Sequence, residues 1–295
     1  MKGGDGSPAV FTAVSLVANP DFERIRDADF QSYFYEPFTE TLAKTPGCGE
    51  SFELWGEGRR NGVFVPQFHG REHLNVAGWL TALQSGNLEV RKAFDHGMWG
   101  FVPTGDFSLP ISLQAAFDLV NPDEIPYPAT VISNGLKLFE RLHGFRASFF
   151  VPPNGPLFSE LEKVAAEHGI RYMATAKVHR EPGGSGVTKT KFRWLGKRNS
   201  FGQRYMTRNC FFEPSSPGRD WVDTCLNEIA TAFRWRKPAI ISSHRVNYIG
   251  ALDESNRDNG LYELKKLLDS IIRNWPDTEF VSSEQLGQMI EGGVQ

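Results

Sequence analysis

The chain has 295 residues, of which 40% are hydrophobic and 13% aromatic, enough for a substantial core in one large α/β domain or two small ones. A net charge of −3 with a pI near 6.2 excludes a general attraction to nucleic acid or to anionic membrane, and no apolar run reaches the roughly 18 residues that a spanning helix needs. The three cysteines, Cys48, Cys210 and Cys225, are odd in number and widely spaced, which suits reduced, structural thiols rather than a disulfide framework. Met1 to Pro8 lacks the charged start and apolar block of a signal peptide, so the chain as written reads as untargeted, cytoplasmic by default.

In chain order, 9–17 is β-rich and apolar and predicts a buried strand; 27–44 predicts an amphipathic helix entered at Pro37; 51–60 predicts a second helix and 63–67 a second strand. Helices follow at 74–83 and 88–94, then a Gly-punctuated loop at 94–100, then helices at 111–119 and 131–143, the last capped by Gly144. A strand at 146–151 is broken by Pro152-Pro153-Asn154-Gly155. A helix at 157–168, Gly169 and a strand at 171–175 complete a βαβ unit, which requires parallel pairing. Regularity fades over 183–216, where Lys189, Lys191, Arg193, Lys197, Arg198, Arg204 and Arg208 alternate with Phe192, Trp194, Phe201 and Tyr205. Beyond lie a helix at 221–233, a buried strand at 238–243, a helix at 261–272, a strand at 279–281 and a closing helix at 283–290 with Ser282 or Ser283 as N-cap. No linker or repeat interrupts the alternation, so residues 1–295 read as a single domain with a barrel-like parallel sheet.

The stretch Gln67-Phe68-His69-Gly70-Arg71-Glu72-His73 places two imidazoles at i and i+4. If helical from His69, both rings lie on one face, about 5–6 Å apart at Cβ, where one metal ion can take a nitrogen from each. Glu72 does not directly follow the first histidine, so this is not the His-Glu-x-x-His arrangement of zinc peptidases. In parallel sheets chemistry collects at strand ends, and here three strand ends carry it: His69 and His73, the loop 152–155, and His244-Arg245 after 239–243.

With those pieces in this order, the sequence resembles the polysaccharide deacetylases of the NodB-homology group, metal-dependent carbohydrate esterases built on a distorted, incomplete (β/α) barrel. The likeness covers about residues 8–292. His69-x-x-x-His73 resembles the metal-binding histidine pair. Phe149-Phe150-Val151-Pro152-Pro153-Asn154-Gly155 resembles the Arg-Pro-Pro-Tyr-Gly loop, with Val151 in place of Arg and Asn154 in place of Tyr. Ile240-Ile241-Ser242-Ser243-His244 resembles the late motif whose histidine is the general acid, and 8–12 resembles the second strand of that fold.

The first motif of that group, a strand ending in Asp-Asp that supplies the base and the third metal ligand, has no counterpart; Asp5-Gly6 has no strand before it. Either the sequence is shortened at its N-terminus, the favoured expectation, or the protein works without that strand.

The resemblance implies removal of N- or O-acetyl groups from a carbohydrate, with a divalent metal, zinc for preference, held by His69, His73 and an Asp not present. His244 is implied as the proton donor, and Pro153, Asn154, Arg208, Asn209 and Arg245 as substrate contacts. Arg71 and Glu72 are either supports for the imidazoles or solvated surface charges. Asp95 or His96 is a candidate to complete the metal shell, and Arg208-Asn209-Cys210 with Glu213 a candidate replacement for the group that orients the base. The basic, aromatic segment 189–208 is either a solvated hairpin or the lining of a groove for an anionic glycan; nucleic acid is disfavoured by net charge. An inactive carbohydrate-binding relative is the main alternative. A glycoside hydrolase using Glu213 and Asp95 is a third reading that their spacing does not support.

Overall fold

The computed structural model describes residues 1–101, 112–119, 121–182 and 188–293. It divides into two compact units, one comprising Met1–Phe11 and Thr207–Ser282, the other Thr12–Met206 and Ser283–Gln295.

The larger unit contains, in order, β1 (Phe11–Leu16), β2 (Ala18–Pro20), α1 (Phe22–Asp27), β3 (Tyr35–Pro37), α2 (Phe38–Lys44), α3 (Ser51–Arg60), β4 (Phe64–Gly70), α4 (Val76–Gln84) and α5 (Leu88–Asp95). It continues with α6 (Pro126–His143), β5 (Phe149–Phe150), α7 (Ser159–Glu167), β6 (Tyr172–Ala174), β7 (Val178–Pro182), β8 (Thr188–Phe192) and β9 (Arg204–Met206). Its main sheet has the order β1-β4-β5-β6-β9, and β4, β5, β6 and β9 pair in parallel, Phe68 opposite Phe150, Phe149 opposite Tyr172, Met173 opposite Tyr205. The expected βαβ unit is therefore β5-α7-β6. The described strands form a mixed α/β fold on a parallel sheet and do not close into a barrel.

Strand β5 is only two residues long, and a side chain extends its pairing with β4. Gln67, buried, accepts at Oε1 from the N–H groups of Ser148 (3.0 Å) and Phe149 (2.9 Å), standing where a strand carbonyl would. Helix α6 packs onto this sheet through Gly135: a Cβ there would lie 2.8 Å from Phe68 Cζ and 3.1 Å from Arg71 Cβ, so the helix interior tolerates a residue of poor helix propensity to come close. The core beneath gathers Phe68, Ile132, Phe139, Phe150, Leu161 and Met173.

The smaller unit is built from β10 (Cys210–Phe211), α8 (Trp221–Arg234), β11 (Ile241–Ser242) and α9 (Glu254–Asn274), with β10 and β11 parallel. Helix α10 (Ser283–Glu291) then belongs to the larger unit. Cys210 and Cys225 are buried in the core of the smaller unit, and burial pushes both thiols up to about 12, where they stay protonated and unreactive.

Several expectations need correction. The helix expected within 27–44 forms as α2, entered at Pro37 as read, but it fills only the end of that span: Asp29 and Phe30 take positive φ (47° and 60°), and β3 intervenes before it. The strand at 9–17 is less buried than its composition implies, with Phe11 and Val14 exposed, because β1 lies at the end of the sheet order. Ile111 lies outside the described residues, and 112–119 forms turns rather than a helix, burying Leu113, Ala115, Phe117 and Leu119 in alternation. The strand at 238–243 shrinks to β11, in which Ile241 is exposed, and 279–281 is not a strand.

Helix α6 ends as read, on Gly144 at φ 72°, and its last residue enters an aromatic cluster. The His143 ring stacks on Trp55 (centroids 6.2 Å, interplanar angle 5°) and lies 4.3 Å from Phe139. Burial, reinforced by the Arg59 guanidinium, depresses its pKa from 6.5 to about 4. The folded ring stays neutral where the unfolded ring takes a proton, so its contribution is complete above about pH 6.5 and is lost as the pH falls towards 4, by about 3 kcal/mol in full. Urea denaturation at pH 7 and pH 4.5 is expected to show this acid loss in the wild type and a shallower one in His143→Phe; an unchanged slope would refute the assignment.

Candidate functional site

Strand β4 runs three residues past its predicted end, because Phe68 is fully buried in the sheet core and holds the chain extended. His69 therefore sits on a strand, not on a helix. The turn that follows depends on Gly70, at φ 127°, where a Cβ would meet Pro153 Cγ at 3.2 Å and the Glu72 carbonyl oxygen at 3.3 Å. Helix α4 begins only after the connection 71–75, with Asn75 as N-cap accepting from Gly78 N–H at 3.1 Å. His73 lies in that connection. The two rings nonetheless meet, with centroids 5.2 Å apart at an interplanar angle of 68°.

What folds the connection back is a pair of inward-facing charges. Arg71 donates from Nε and Nη2 to the two oxygens of Glu72 at 2.6 and 2.7 Å, with side-chain exposures of 5% and 0%. The guanidinium lies over the rings of Tyr35 (4.2 Å) and Tyr33 (5.4 Å), and the Arg71 carbonyl accepts from Val17 and Ala18 at 3.1 and 2.8 Å. The two residues are thus buried and paired with each other, not solvated on a helix surface. Burial pushes the Glu72 carboxyl up against the opposing pull of Arg71, and the carboxylate in turn holds the guanidinium protonated.

Val151 fixes the first imidazole. Its N–H donates to the Phe68 carbonyl at 3.1 Å and its own carbonyl accepts from His69 Nδ1 at 2.7 Å. A carbonyl only accepts, so the proton sits on Nδ1 and Nε2 keeps its lone pair. This is the arrangement in which an imidazole ligates a metal while its other nitrogen is held by a backbone acceptor. Pro153 is buried, and its ring is the neighbour that keeps position 70 a glycine; Asn154 turns outward at φ 54°.

The donor set for a metal is incomplete: among the described residues no group of three or more His, Cys, Asp or Glu side chains is placed to hold one. His69 has the right tautomer and His73 the right proximity, but a catalytic zinc site takes three protein ligands and a water. Asp95 does not supply the third, being paired with Arg26 at 3.1 Å, and His96 forms the C-cap of α5.

In the smaller unit His244 leads from β11 into a single 3-10 turn, 245–248. Its Nδ1 lies 2.6 Å from Glu213 Oε1, while Glu213 Oε2 accepts from Asn247 Nδ2 at 2.7 Å and from His244 N–H at 3.3 Å. Asn247 is fully buried and also accepts from Ser215 N–H at 3.0 Å, so the carboxylate is held on both oxygens before it holds the ring. Glu213 therefore orients His244, where sequence reasoning offered it as a substitute for the group orienting a base. Asn247, the hub of this network, was missed; its only sequence signal is its place three residues after the histidine.

An open cavity of about 450 Å³ is lined by His244, Glu213, Phe211, Trp221, Arg219 and Val246 among others. Of the remaining candidates, Arg208 donates to Ser242 Oγ at 2.9 Å and Arg245 is exposed. Asn209 uses both ends of its amide on the backbone of Pro238 and Ile240, at 2.9 and 2.7 Å.

The buried pair generates a prediction. Glu72→Gln leaves the guanidinium without its counter-charge and is expected to cost about 3–5 kcal/mol in chemical denaturation, whereas the double replacement Arg71→Met, Glu72→Leu recovers most of it. A loss below about 1 kcal/mol in the single variant would show that the pair does not hold this turn.

No family model matches the sequence, and no curated protein matches it. Among solved structures, the chain is similar to a putative polysaccharide deacetylase from Mycobacterium smegmatis, at 12% identity and a TM-score of 0.43 over 84% of this chain and 71% of that one. It is also similar to an allantoinase (10% identity, TM-score 0.38, 94% of this chain and 82% of that one). A third is a probable polysaccharide deacetylase from Pseudomonas aeruginosa PAO1 (14% identity, TM-score 0.33, 85% and 80%). Likenesses of this size carry no argument about the reaction.

Proposed function

We propose that this chain is a hydrolase that removes an acetyl group from a carbohydrate amide or ester, with a divalent cation, zinc by ligand chemistry, held at His69 and His73. The observation that supports this most directly is the His69 ring, whose Nδ1 is committed to the Val151 carbonyl at 2.7 Å and whose centroid lies 5.2 Å from that of a second imidazole, His73. A cation bound there supplies acidification of water and polarisation of a carbonyl. In the same reading the parallel sheet belongs to a distorted (β/α) barrel, and no described residue is assigned as third ligand or base.

His244, in the smaller unit, is a separate candidate for proton exchange with a ligand of that unit's own cavity. Glu213 holds its Nδ1, so Nε2 is the ring atom that would meet such a ligand.

A second reading has its own observation in favour. Two imidazoles with no third donor among the described residues fit a carbohydrate-binding relative that no longer turns over.

One series of measurements separates the two. Metal-free protein is titrated with zinc, and acetate release is followed on acetylated oligosaccharides across pH. The enzyme reading expects zinc at 100-fold above Kd to stabilise the wild type by about 2.7 kcal/mol, and His69→Ala and His73→Ala to lose that stabilisation together with acetate release. Zinc binding with no acetate release from any substrate would favour the inactive relative; no zinc stabilisation in the wild type would overturn the metal assignment.

A further inference from the structure

The basic, aromatic segment is sorted by its backbone into two faces with different chemistry. Strands β7 and β8 pair antiparallel, Val178 opposite Phe192, His179 opposite Lys191, Arg180 opposite Thr190. Alternation sends His179 and Glu181 inward, both buried, and Val178, Arg180 and Phe192 outward, with Val178 50% and Phe192 64% exposed. The period continues past the strand: Arg193 is buried and Trp194 is 56% exposed.

The inner face is a clamp. Glu181 accepts from Ser159 N–H at 2.8 Å at the start of α7, His179 Nε2 donates to the Leu157 carbonyl at 2.8 Å, and Arg193 pairs with Glu162 at 2.7 Å and donates to Thr175 Oγ1 at 3.0 Å. Lys191 pairs with Glu181. The carboxylates of the neighbourhood are thereby consumed underneath the hairpin. On the outer side Arg180 is exposed and has no carboxylate partner among the described residues. Lys197 lies 4.1 Å over the Trp194 ring and donates to the Phe192 carbonyl at 2.7 Å, which fixes the indole beside Phe192 with a cation against one of its faces.

We propose that this outward face, carried by Val178, Phe192 and Trp194 and bordered by Arg180 and Lys197, is a binding surface for an acidic polysaccharide. Exposed aromatic rings offer flat apolar faces to the C–H faces of sugar rings, and unpaired cations beside them match carboxylates spaced along a glycan chain. The pairs beneath the two strands hold these groups on one face, which lowers the ordering cost of binding. The chain's net charge of −3 argues against a polyanion as dense as nucleic acid. The surface is independent of the reaction assigned above and stands or falls without it.

The test is equilibrium binding of the full chain to polygalacturonate and to neutral dextran at 50 and 200 mM salt. Polygalacturonate is expected to bind at least tenfold more tightly than dextran at low salt and to weaken as salt rises. Trp194→Ala is expected to weaken binding at least fivefold at both salts, and Arg180→Gln to reduce the salt dependence, each with an unchanged melting curve and unchanged zinc binding. Equal affinity for both polymers, no binding to either, or unchanged binding by two folded variants would overturn the proposal. So would displacement of the glycan by single-stranded RNA at equal concentration, which marks a nucleic-acid surface. Wild-type self-association abolished by Trp194→Ala with no effect on glycan would also overturn it, marking an interface between copies.

Discussion

Two charges that are neighbours in sequence and face inward together, Arg71 and Glu72, are the constraint from which the candidate site follows. A buried guanidinium and a buried carboxylate are each costly to remove from water, and their pairing at 2.6 Å, with tyrosine rings over the cation, is what makes the burial tolerable. Because both side chains point into the larger unit, the backbone between β4 and α4 must double back, and Gly70 supplies the φ of 127° that this needs. The imidazoles on either side are carried together as a consequence. Their spacing of four residues therefore produces the right meeting by a different route from the helical turn that the spacing predicts.

The tautomer of His69 follows from the same local architecture. Parallel pairing of β4 with β5 places Val151 where its N–H continues the ladder to Phe68 and its carbonyl receives the His69 ring. Gln67 completes the ladder from the other end of the two-residue strand. A site whose donor atoms are fixed by sheet hydrogen bonds is more precisely positioned than one carried on a free loop. The His244 side chain is built on the same logic, its ring held by a carboxylate that is itself held by the buried Asn247.

Elements with long periodic signals were legible in the sequence. α6 with its Gly144 cap, α7 with Gly169 behind it and α8 lie within a few residues of expectation, because an apolar stripe and a terminating glycine are local properties. Strand lengths were not legible: 146–151 and 238–243 contain only two strand residues each, since apolar composition records burial, not ladder hydrogen bonding. The conditional helical placement of His69 is not realised because the burial of Phe68 and the conformation of Gly70 are tertiary demands. The histidines themselves and the strand-end position were visible. The roles of Val151, whose contribution is a backbone carbonyl, and of Asn247 were not, because neither residue type announces chemistry. Within 189–208 composition did not separate Arg193 and Tyr205, which turn inward onto Glu162, from Phe192 and Trp194, which do not.

The account rests on the protonation of one ring, and nitrogen-15 NMR of the histidine side chains reads it directly. The structure predicts that His69 in metal-free protein near pH 7.5 is the Nδ1–H tautomer, its Nε2 resonance shifting on addition of zinc while Nδ1 keeps its proton. An Nε2–H tautomer for His69, with no change on zinc addition, would contradict it.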